Sequence, residues 1–155
     1  MSKYKLVFVC TGNTCRSPMA EVIFKNLAKQ IGLENVLCKS AGLKVNDGDK
    51  INKNAKLALK TLGYKAGEIK AKPLTSSMIK DYNVLVCLSN SHKKYIQESL
   101  CQKTAKKVAT LNELTGCGEI EDPFNQELDK YILTAKQIEK GVVTLIKILK
   151  EGLKK

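Results

Sequence analysis

The sequence predicts an α/β fold, a parallel β-sheet with helices on both faces. Three observations carry this expectation. Short apolar runs rich in β-branched residues recur at Lys5–Cys10, Val36–Ala41, Asn83–Leu88 and Lys107–Thr110. Segments with helical periodicity separate each run from the next, and strands that alternate with helices pair in parallel through crossovers. At 155 residues the chain is long enough for one substantial core, so residues 1–155 are read as a single domain.

Lys5–Cys10, KLVFVC, reads as a buried strand. Ser17-Pro18 then offers an N-cap and a proline at the first helical position. Met19, Ile23, Phe24, Leu27 and Ile31 form an apolar stripe, and Gly32 ends that helix. Val36–Ala41 is the second strand. Asn52–Leu62 reads as a helix closed by Gly63, and Thr75 caps a short helix reaching Tyr82. Asn83–Leu88, NVLVCL, is the clearest buried strand. Ser91–Leu100 reads as helix and Lys107–Thr110 as a short strand. Thr115–Glu127, TGCGEIEDPFNQE, is too long and polar for a plain connector and is expected to carry function. Leu128–Leu153 closes the chain as a long helix that turns Leu128, Ile132, Ala135, Ile138, Val142, Leu145, Ile146 and Leu149 inward, with Gly141 as a soft spot.

The composition narrows the function. A net charge of +12 invites a nucleic-acid reading, but the lysines are dispersed, in modest clusters at Lys70–Lys72, Lys93–Lys94, Lys106–Lys107 and Lys154–Lys155. No aromatic residues interleave with them and no recognised nucleic-acid motif is present. A solvated lysine-rich surface fits better, and the other reading is attraction to acidic or phosphorylated partners. No signal peptide or membrane-length apolar run is read, so a cytoplasmic protein is expected, binding neither nucleic acid nor membrane. The cysteines Cys10, Cys15, Cys38, Cys87, Cys101 and Cys117 show no zinc-ligand spacing. They are expected to be reduced thiols, with no metal and no cofactor.

The chemistry concentrates at Val7–Glu21, VFVCTGNTCRSPMAE. Of 27 Lys and Arg residues, Arg16 is the only arginine. Its planar fork of donors suits two-pronged binding of an oxyanion. Sheets of this kind bind ligands beyond the carboxyl ends of their strands, where Cys10–Ser17 lies. Gly12 and Asn13 tolerate positive φ, so Thr11, Gly12, Asn13, Thr14, Cys15, Arg16 and Ser17 can curl with amides inward as a phosphate nest at a helix N-terminus. Cys10 would lie at its base, in a field that favours thiolate. Ser17 could donate a hydrogen bond to that sulfur. A thiolate that attacks phosphorus needs its leaving group protonated, and Asp122, stiffened by Pro123, is the candidate acid. Glu121 is a rival. Phe124 would wall the substrate side chain. His92, the one histidine, sits in the lysine-rich SHKKY stretch and reads as a surface residue.

VFVCTGNTCRSPMAE, with the SAG turn at Ser40–Gly42 and Asp122-Pro123-Phe124, resembles the low-molecular-weight protein tyrosine phosphatase family along nearly the whole chain. The resemblance implies a flavodoxin-like three-layer sandwich on a four-stranded sheet of order 2-1-3-4. It implies Cys10 as nucleophile, Arg16 as phosphate clamp and Asp122 as acid. Asn13 would hold the loop through Ser40, and Cys15 would form a protective disulfide with oxidised Cys10. Two departures stand out. Tyrosine-directed members carry an apolar residue before the second cysteine; here it is Thr14, as in the bacterial protein arginine phosphatase branch. Many members also support the loop with a histidine from the segment near Ile69–Pro73, and this chain has none there. The resemblance implies metal-independent hydrolysis of phosphoarginine, favoured by Thr14, or of phosphotyrosine in proteins, with inorganic phosphate released. The other readings are a thiol-linked arsenate reductase relaying through Cys87 and Cys101, and a non-catalytic phosphate-binding module.

Overall fold

In a computed structural model, which describes residues 3–100 and 106–153, four parallel strands form one sheet. They are β1 (Tyr4–Cys10), β2 (Val36–Gly42), β3 (Val84–Cys87) and β4 (Val108–Thr110). Their order is β2-β1-β3-β4, as the sequence resemblance implied. Because β1 is central, its residues are buried on both faces, which explains the unbroken apolar run of Leu6, Val7, Phe8 and Val9. Leu6, Phe8, Cys38 and Val86 face one layer, formed by α1 (Arg16–Gln30), α2 (Lys53–Thr61) and α6 (Leu128–Leu153). Val7, Val9, Ala41, Leu85 and Cys87 face the other, built on α3 (Ser76–Asp81) and α4 (Asn90–Tyr95) with its π-turn Ile96–Leu100. A short α5 (Leu111–Thr115) follows β4 directly. The sequence pattern predicts no element there, although its capping box of Thr110 with Glu113 is a local signal. Cys101, Lys154 and Lys155 lie outside the described residues.

The helix signals hold at several ends. Asn52 accepts from the N–H groups of Asn54 and Ala55, and Thr75 accepts from Met78. Gly32 and Gly63 take φ of 72° and 90° just past α1 and α2. The start of α1 differs from the expectation. The helix begins at Arg16, Cys15 stands at the cap position, and Pro18 is the third helical residue. An N–H missing there breaks no intrahelical bond. The Ser17 hydroxyl is spent on Cys10 Sγ instead of on a cap. Ile31 falls past the end of α1 and is exposed. Gly141 is not a soft spot either. A Cβ there would meet Leu111 Cδ2 at 2.8 Å and Cys117 Sγ at 3.0 Å, so its bareness lets α6 close on the α5 loop.

Candidate active site

The Cys10–Arg16 loop runs from the end of β1 to the first turn of α1. The carbonyls of Cys10, Thr11 and Thr14 point outward and accept from the N–H groups of Leu43, Lys44 and Asn52 at 3.0, 2.8 and 2.8 Å. In a trans peptide the N–H opposes the C=O. The amides of Thr11, Gly12 and Cys15 therefore point the other way, into the loop, which makes an anion nest. Asn13 supplies the positive φ of 54° on which the loop turns; Gly12 does not take one. Gly42 makes the close approach possible: a Cβ there would stand 2.8 Å from Thr11 O and 2.9 Å from Asn13 N.

A relay of hydrogen bonds runs behind the loop. Asn13 Oδ1 accepts from Lys72 N at 2.9 Å, which fixes the amide's orientation. Asn13 Nδ2 then donates to Ser17 Oγ at 2.8 Å and to Ser40 Oγ at 3.0 Å. The Ser40 hydroxyl donates to Glu21 Oε1 at 2.5 Å, and Glu21 pairs with Lys25. Since Asn13 donates to Ser17, the Ser17 hydroxyl is left to donate to Cys10 Sγ, 2.9 Å away, in preference to Ala41 O at 3.5 Å. Glu21, 9% exposed, was not singled out in the sequence. It and the Lys72 amide support the loop where the absent histidine of the Ile69–Pro73 segment was missed.

Arg16 is 6% exposed, and its partners come from three directions. Nη1 donates to Ile120 O at 3.0 Å; Nη2 lies 3.2 Å from His92 Nε2 and 3.6 Å from Asp122 Oδ2. A cavity of about 260 Å³ opens above Cys10, lined by Thr11, Gly12, Thr14, Cys15, Arg16, Asp122 and Phe124. Lys44, Asn46 and Asp49 complete its rim, and no local pattern in the sequence marks them. Asp122 is half exposed, its Oδ1 accepting from Phe124 N at 3.1 Å, so the carboxylate is aimed while still reached by water. Glu121 does not line the cavity. Asn13 and Ser17, grouped with the phosphate ligands in the sequence reading, turn their side chains beneath the loop. Cys15 is buried, and burial pushes its thiol up despite contacts with Tyr131 and Thr14. Among the described residues no cluster of His, Cys, Asp and Glu is placed to hold a metal ion.

Residues 5–155 match the family described as low molecular weight phosphotyrosine protein phosphatase. The chain belongs to that family. A protein-arginine-phosphatase of Bacillus subtilis is 36% identical over 148 residues, covering 94% of this chain and 97% of the relative. The low molecular weight protein-tyrosine-phosphatase PtpB of Staphylococcus epidermidis is 33% identical over 135 residues, covering 86% and 91%. A solved YwlE arginine phosphatase, a cysteine-to-serine mutant with a phosphorylated active-site serine, superposes with a TM-score of 0.87 at 34% identity, covering 94% and 95%. This low molecular weight phosphatase is therefore a cysteine-dependent protein phosphatase.

His92 corrects the sequence reading of this phosphatase. It is 2% exposed, not at the surface, because the strand order lays the end of β3 beside the loop after β1. Burial first, then the Arg16 charge, lowers its pKa from 6.5 to about 4, with Asp122 opposing. The unfolded chain takes up this proton near pH 6.5 and the folded one only near 4. Stability is thus fully present above pH 6.5 and lost as pH falls toward 4, by about 3 kcal/mol. Urea unfolding at pH 7 and pH 4.5 is expected to show wild type losing about 2–3 kcal/mol more than His92→Gln. Equal losses would remove His92 as the cause.

Proposed function

We propose that this phosphatase removes phosphate from phosphoarginine side chains of proteins through a phosphocysteine on Cys10. The observation that carries the reading is Thr14. It lines the cavity, partly exposed, with its carbonyl anchored by Asn52 N at 2.8 Å. An apolar branched residue at this wall would pack on a phenyl ring. A hydroxyl-bearing side chain leaves room for a planar, polar guanidine. The identity to the Bacillus subtilis protein-arginine-phosphatase supports the same choice.

The phosphoryl group rests on the inward amides, with Arg16 closing the nest by paired donors. The Cys10 thiolate attacks phosphorus in line; the S–P bond forms as the P–N bond breaks. Asp122 gives its proton to the leaving nitrogen, whose basicity makes unaided departure slow. Asp122 then takes a proton from a water that attacks the phosphocysteine. The S–P bond breaks, phosphate leaves, and the Ser17 hydroxyl stabilises the returning thiolate. For phosphotyrosine the same steps apply, with a phenolic oxygen as leaving atom.

Thr14→Ile tests the preference. The ratio of kcat/KM for phosphoarginine peptides to that for phosphotyrosine peptides is expected to fall about tenfold or more, on the scale of a small change in pocket shape. An unchanged ratio would overturn the role of Thr14. The arsenate reductase reading is disfavoured by Cys87, which is fully buried, its thiol pushed up to about 12 chiefly by that burial.

A further inference from the structure

The His92 ring reaches both ends of the catalytic loop. Its Nε2 lies 3.1 Å from Thr11 Oγ1 and 3.2 Å from Arg16 Nη2. Its Nδ1 lies 3.1 Å from Ser89 Oγ and 3.2 Å from Ser89 N, at the first turn of α4. We propose that His92 is a positioning residue for Arg16, setting the rotation of the guanidinium so that its free donors face the phosphate. This rests on the reading of Arg16 as the phosphate clamp.

A guanidinium is a rigid planar fork, and two fixed points decide its orientation. Ile120 O holds Nη1 at 3.0 Å and His92 holds Nη2. Asp122 cannot serve as the second fixed point, since it stands 3.6 Å away, is half exposed, and must move its proton to the substrate. Arg16 can only donate, so Nε2 must present a lone pair. In the neutral ring the proton then sits on Nδ1 and is donated to Ser89 Oγ. The Ser89 N–H makes a competing claim on Nδ1, but it is uncharged, whereas Arg16 makes a charge-assisted bond. A protonated ring would set donor against donor and cation against cation. The low pKa of His92 keeps the acceptor available through the neutral range.

Nδ1 also stands at the capping-box position of α4, 3.2 Å from Ser89 N, and the opposite tautomer would make His92 a helix cap alone, so a purely structural role must be separated. Inhibition by inorganic phosphate and the KM and kcat for a phosphopeptide would be measured for wild type, His92→Ala, Arg16→Lys and the double variant. His92→Ala is expected to weaken phosphate inhibition about tenfold, and less than twofold when Arg16 is already lysine. An equal loss in both backgrounds, or none with Arg16 intact, would overturn the proposal. His92→Gln covers the case in which the alanine variant fails to fold. Its one acceptor can satisfy Ser89 N–H but cannot also hold Arg16, so it is expected to fold and still lose about tenfold. Full phosphate affinity in His92→Gln would reduce His92 to a helix cap. Should Arg16→Lys itself leave phosphate inhibition and turnover unchanged, the clamp reading would fall, whatever His92 does.

Discussion

Replacing Cys10 with serine is expected to cut phosphate release from phosphoproteins by at least about 10⁴-fold, because the nucleophile is removed while the nest that binds phosphate stays intact. Cys10 sits 3% exposed at the base of the cavity, its sulfur 2.9 Å from Ser17 Oγ. A serine hydroxyl there lacks the low-lying anionic form of a thiol, so it attacks phosphorus slowly. Stopped-flow phosphate release and calorimetric binding of inorganic phosphate would be read together. Turnover by the serine variant within tenfold of wild type would remove Cys10 from the nucleophile role. Loss of turnover with unchanged phosphate binding is the expected pair.

Asp122→Asn separates the acid from the clamp. With phosphopeptides kcat/KM is expected to fall about 10²–10³-fold, the usual worth of a positioned acid. With a nitrophenyl phosphate, whose leaving group departs without a proton, the fall is expected to stay below about tenfold. The ratio kcat/KM is the right readout, since it reports phosphocysteine formation and not the later hydrolysis, in which Asp122 acts as base. Equal losses on both substrates would mean that Asp122 serves Arg16, 3.6 Å away, more than the leaving group.

These expectations rest on residues that are legible in the sequence. The loop VFVCTGNTCRSPMAE carried its own context: an apolar strand before it, a turn-forming Asn13 within it and a helix after it. Asp122-Pro123-Phe124 was legible for a similar reason, a stiffened acid in a loop too long to be a connector. The rival Glu121, which lacks the proline-stiffened position, does not line the cavity, and Asp122 does. The start of α1 was misread because Ser17-Pro18 satisfies a local capping rule. The tertiary structure gives that hydroxyl a stronger use, on Cys10 Sγ. Lys44, Asn46 and Asp49 reach the rim from a polar stretch with no periodicity to mark it.

By itself the sequence determined the alternation of strands and helices, the place of the loop after β1 and the residues proposed as its thiol, guanidinium and acid. Those properties follow from neighbours within a few residues, where spacing and turn chemistry act. The tertiary structure alone decided what holds that machinery still. The order β2-β1-β3-β4 brings the ends of β2 and β3 to either side of the β1 loop. Ser40, held by Glu21, thereby reaches Asn13 across 27 positions, and His92 reaches Arg16 across 76. Contacts so distant along the chain leave no periodic mark in it. They exist because a parallel sheet gathers the carboxyl ends of its strands at one edge, where buried polar groups must find partners.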